Sequence, residues 1–132
     1  MNKLFDSAAP YADVVGRVLI AVLFLASGWG KIGGYGGTQA YMQSAGVPGG
    51  LLPLVILVEL AGGLAIVAGL FTRPAALVLA GFSILAALLF HSGSDQVQQI
   101  MFFKNLGLAG GFLFLTANGA GRFSVDHWRR RA

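Results

Sequence analysis

The hydrophobic positions of this chain gather into four long blocks, 14–32, 51–71, 74–91 and 97–117, with short polar or glycine-rich breaks between them. A hydrocarbon core about 30 Å thick takes around 20 helical residues at about 1.5 Å each. Every block has that length, so the pattern predicts four membrane-spanning helices. The expected fold is all-α: a polytopic four-transmembrane-helix bundle in one domain, closed by a basic tail over 118–132. The longest break, 33–50, holds three glycine pairs, two before and one after a segment from Thr38 to Ala45. That spacing predicts a short interfacial helix capped by Thr38, with Tyr41 and Met42 on its apolar side.

Composition agrees with the pattern. Of 132 residues, 56% are hydrophobic and only 11% charged, with no cysteine, which excludes an ordinary soluble domain and any dithiol chemistry of the chain's own. The first block is too long for the apolar part of a cleaved signal. Asp6 and Asp13 also precede it where positive charge would be needed, so it is read as a retained helix. Positive charge then orients the bundle. Lys3, Arg73, Arg122, Arg129, Arg130 and Arg131 fall on one side of an even number of spans, while the loops 33–50 and 92–96 hold no Lys or Arg. The positive-inside rule makes both termini cytoplasmic and places the long loop in the periplasm of a bacterial inner membrane. The arginines of the tail are read as contacts for anionic lipid headgroups and not for nucleic acid.

Ionisable residues inside the apolar blocks carry the candidate chemistry, because a charge in hydrocarbon is costly unless paired or wetted. Glu59, Gly62, Gly63 and Ile66 share one helical stripe, as do Lys104, Gly107 and Gly111, and Arg17, Ala21, Phe24, Gly28 and Lys31. Glycine stripes are packing faces, so Glu59 and Lys104 are expected to look into the bundle. Lys31, Glu59, His91 and Lys104 all fall toward the periplasmic ends of their blocks. They form either a Glu59–Lys104 ion pair that pins two helices, joined by Lys31, or a polar pocket able to move a proton and bind an anionic or carbonyl-bearing ligand. At the other end Arg17 either snorkels to the headgroups or, the favoured reading, meets Asp126 or the Ser124 hydroxyl from a segment that folds back after the last span. No metal site is expected, since the two histidines lack ligand partners at usable spacing.

The chain resembles the DoxX family of inner-membrane proteins. The resemblance is carried by Arg17, the SGWGKI run at 27–32, then Thr38, Tyr41, Gly46 and Pro48 in the long loop. It continues through ELAGG at 59–63, GLFTR at 69–73, KN at 104–105 and GAGRFSVD at 119–126. It implies a four-helix inner-membrane protein and, for some members, association with quinone-linked sulfur oxidation or with defence against oxidants and electrophiles. With no cysteine, such a role would need a bound quinone or a redox partner protein. Two further functions stand beside an accessory subunit of a quinone-linked redox system: a scaffold whose buried charges only lock the bundle, and a small proton-coupled transporter working as a homo-oligomer through its Gly-rich faces.

Overall fold

Helix α1 runs without interruption over Asn2–Gly33, in a structure that is a computed structural model describing residues 2–131. It starts well before the apolar block at 14. Lys3, Leu4, Ala8 and Ala9 are good helix formers, and Pro10 sits inside the helix at the cost of one backbone hydrogen bond. The buried face of α1 is Arg17, Ala21, Phe24 and Gly28. Helix α2, Tyr35–Ser44, is the short helix of the long loop. Thr38 lies inside α2 and not at its cap: its hydroxyl bonds back to the Gly34 carbonyl at 2.9 Å.

Helix α3 covers Leu52–Ala68 and follows a single 3-10 turn at Gly49–Leu51, with Pro53 in its first turn. It ends at Gly69, whose φ of +70° is the left-handed closure that glycine adopts without strain. This stop falls three residues before the end of the apolar run at 71. Helix α4 (Thr72–Phe90) begins at once, and α5 (Gln96–Asn118) follows a five-residue loop. The tail forms one more short helix, α6, Val125–Arg131. Among the described residues four helices, counting Gly49–Ala68 as one, are long and apolar enough to cross a membrane.

The helices pack in the order α1, α3, α4, α5, with α1 on α3 and α4 on α5 as the closest pairs. Small residues permit those approaches. A Cβ on Gly63 would stand 2.9 Å from Leu25, and one on Gly62 3.1 Å from Leu79. The core is Ala21, Phe24, Ile66, Ala76, Leu79, Ala80, Ala109 and Phe112. Phe24 sits at its centre, edge-on to Phe112 at 5.3 Å and to Phe82 at 6.3 Å. Outward-facing Leu19, Leu57 and Phe114 are exposed, as lipid contact requires.

Candidate intramembrane binding site

The end of the bundle opposite the chain ends contains a cavity of about 390 Å³. Leucines, phenylalanines and methionines from α1, α3, α4 and α5 form most of its wall, and Lys31, Glu59, His91 and Lys104 are all on it. Helix α2 covers it through Thr38, Tyr41 and Met42. Met42 is buried, and Tyr41 stacks on Phe90 with ring centres 5.5 Å apart while its hydroxyl points at the Phe90 carbonyl. The apolar side assigned to α2 therefore faces a hydrophobic chamber.

Within the chamber the ion pair joins Glu59 to Lys31 and not to Lys104. The Lys31 Nζ stands 2.7 Å from Glu59 Oε1 and also donates to the Ser27 hydroxyl one turn earlier. Gly28 explains this choice of partner. A Cβ there would meet Leu60 Cγ at 2.8 Å and Glu59 Cβ at 3.3 Å, so α1 and α3 touch at the turn that carries both charges. Lys104 belongs to α5, which packs on α4. It is exposed, and nothing within 4 Å faces the open Gly107 next to it on the helix. The Lys104–Gly107 part of that stripe is thus not a packing face. Only Gly111 is, against Ile20. Glu59 is 3% exposed, and its Oε1 accepts no hydrogen bond in good geometry among the described residues. It is held by charge alone and keeps lone pairs to offer. His91 ends α4, with Nδ1 2.9 Å from the Gln98 amide oxygen.

At the chain-end side a second polar centre surrounds Arg17, which is 1% exposed. Its Nε donates to Asp13 Oδ2 at 3.0 Å, its Nη1 to the Ile66 and Val67 carbonyls, and its Nη2 to the Phe123 carbonyl. The segment after α5 does fold back, but it offers Arg17 a backbone carbonyl. Asp126 instead accepts from the Phe71 and Thr72 amides at 2.8 Å each, closing the start of α4. The Ser124 hydroxyl bonds the Gly121 carbonyl and the His127 amide. Burial, the largest influence on Asp126, pushes its carboxyl up, but the Thr72 and Phe71 amides with Arg129 outweigh it and hold the carboxyl below its ordinary value.

Comparison with known proteins fits this architecture. Residues 12–92 match the family model described as DoxX. The chain belongs to the DoxX family. It is 54% identical over 127 residues to the inner membrane protein YqjF of Escherichia coli (strain K12), covering 96% of this chain and 95% of that one. It is 33% identical to the inner membrane protein YphA of the same organism, over 96% and 99% of the two chains. No solved structure matches. This DoxX protein is a multi-pass protein of the inner membrane, the membrane that both relatives' names give and that four of its helices are long enough to cross.

The family match takes in α1 through α4, and with them Lys31, Glu59 and His91, while Lys104, Ser124 and Asp126 lie beyond it. Asp13 was not singled out from the sequence of this DoxX protein, although its position four before Arg17 is ion-pair spacing on a helix. It also accepts from the Gly121 amide at 2.8 Å. Ser27, four before Lys31, left the same kind of signal.

Proposed function

We propose that this DoxX protein binds an amphipathic, carbonyl-bearing ligand of the quinone class in the chamber around the Lys31–Glu59 pair, as an accessory subunit of a quinone-linked redox or oxidant-defence system. The observation that carries this reading is Lys104. Its cation sits on the wall of an apolar chamber with no ion-pair partner among the described residues, and an unpaired ammonium at membrane depth is stabilised by a ligand oxygen. Leu54, Leu85, Leu89 and Met101 on the same wall suit an isoprenoid or ring face. A bound quinone would supply two-electron carrier chemistry that the chain lacks. Lys31 and Lys104 would donate to the carbonyl oxygens, and Glu59 would accept or return a proton beside them. Both termini are placed in the cytoplasm on the distribution of arginines, so the chamber opens toward the periplasm. A redox partner protein and self-association along the open Gly107–Gly110 strip of α5 belong to the same reading.

The test is thermal unfolding of the purified chain in detergent with and without a short-chain ubiquinone. A ligand that binds only the folded state raises the midpoint with concentration. Lys104→Gln should lower affinity roughly tenfold, the loss of one hydrogen bond to a charged group. A midpoint that no quinone moves would reject the proposal.

The 2.7 Å pair itself favours a second reading, in which the charges only lock α1 to α3. In that case exchanging the two residues, Lys31→Glu with Glu59→Lys, restores everything that either single change destroys, ligand response included.

A further inference from the structure

The chain-end side of the molecule holds a cleft of about 460 Å³ between the start of α4, the end of α5 and α6. Three guanidinium groups stand on its wall: Arg73, Arg129 and Arg130. They come from elements far apart in sequence and are brought together by one joint. The Asp126 amide donates to the Gly69 carbonyl at 2.8 Å, and the Asp126 carboxylate takes the Phe71 and Thr72 amides. This folds α6 against the α3–α4 turn. Phe71 accepts a left-handed backbone, φ +47°, to present its amide there, a strain that the joint must offset.

The arginines are positioned and yet open. Arg73 Nε donates to the Thr116 carbonyl at 2.7 Å, and its two terminal nitrogens make no other hydrogen bond among the described residues. The Arg129 guanidinium lies 5.0 Å from the centre of the Phe71 ring. Arg129 and Arg130 are exposed. Among the described residues Asp126 is the one acid on the wall, and its oxygens are already committed to backbone amides, so the three cations are left without an acidic partner among those residues. The surroundings are those of a bilayer interface. Phe71 and Trp128 are 58% and 69% exposed, and the outer face of α4 continues from Pro74 through exposed Leu77 and Val78.

We propose that this cleft binds the phosphate of an anionic phospholipid from the leaflet beside the chain ends, with the acyl chains along α4. Guanidinium forks match phosphate oxygens in a bidentate way that a lysine does not, and basic pockets between membrane helices and their flanking segments hold such headgroups. The exposed aromatic ring beside the arginines and the apolar track leading from them select a lipid over a soluble anion.

The experiment uses the full chain in zwitterionic detergent. Thermal midpoints are measured with phosphatidylglycerol, phosphatidylethanolamine or sodium phosphate at equal concentration, and lipid retained through purification is quantified. Phosphatidylglycerol should raise the midpoint while the other two do not. The double variant Arg129→Gln, Arg130→Gln should retain roughly 30-fold less phosphatidylglycerol, at about one lipid-facing charge's worth of attraction per arginine, whereas Arg122→Gln, outside the cleft, should retain the normal amount. An equal response to phosphatidylethanolamine, a full response to sodium phosphate alone, or an equal loss in Arg122→Gln would overturn the proposal. If the double variant does not fold, the wild-type cleft still decides. The chain has two tryptophans, and in a Trp29→Phe background brominated phosphatidylglycerol should quench Trp128 more than brominated phosphatidylethanolamine does. Equal quenching rejects the site.

Discussion

Gly28 decides which charges meet. Its missing side chain lets Leu60 and Glu59 come within the reach of a Cβ, and Lys31, one turn further along α1, then falls on the Glu59 carboxylate. Gly28→Ala should cost about 1–3 kcal/mol through overpacking, read as a lower midpoint of unfolding in detergent. Gly107→Ala, which meets nothing within 4 Å, should change stability by less than about 0.5 kcal/mol. Equal effects at the two glycines would remove the packing argument. Glu59→Gln leaves the Lys31 cation without its partner in a mostly dry site. It should cost about 3 kcal/mol, the lower end for a broken buried pair because Lys31 keeps some exposure. The residue identities announced the buried charges Arg17 and Glu59, whereas Lys104, expected to look into the bundle, is exposed. Which acid met which base was not legible, because it depends on the neighbour order of the helices. Glu59 and Lys104 share a depth but belong to helices that do not pack side by side.

At the scale of elements, hydrophobic run length located every span and missed the ends. Helix α1 extends to Asn2 because its exposed first turns are built from helix formers that a hydropathy run ignores, and α3 stops at Gly69 because a left-handed glycine ends a helix whatever the apolar run does next. Helix α6 was hidden within the basic tail, and Asp126 is what gives it a position. Its carboxylate is held below the ordinary carboxylate value by the amides that open α4. A group with a depressed folded value contributes stability that is complete above the unfolded value and is lost as pH falls through the folded one. The wild-type chain should therefore lose stability on acidification below about pH 4. Asp126→Asn should start less stable at neutral pH and show a flatter acid limb in the same melt series. Parallel limbs would mean that the joint between α6 and α4 carries little of the fold. Helix α2 was visible from its bracketing glycines, and its place over the chamber follows from the Tyr41–Phe90 stacking across a gap of 49 positions.

For the molecule as a whole, two polar centres occupy opposite ends of one small apolar bundle. The Arg17 guanidinium has a partner on each nitrogen, from α1, α3 or the segment after α5, and so ties the chain-end side together. The chamber at the other end is the reverse, with one carboxylate held by a single cation and a second cation unmatched. This contrast supports the proposal of ligand binding in the chamber, with Arg17 closing the fold. Photolabelling the purified chain with an azido-substituted short-chain quinone, followed by mapping of the modified residues, tests that assignment most directly. Labels on chamber residues such as Leu54, Phe82 and Met101, displaced by unlabelled quinone and reduced in Lys104→Gln, are the predicted result. Labels spread over the lipid-facing Leu19, Leu57 and Phe114, or insensitive to competition, would contradict it.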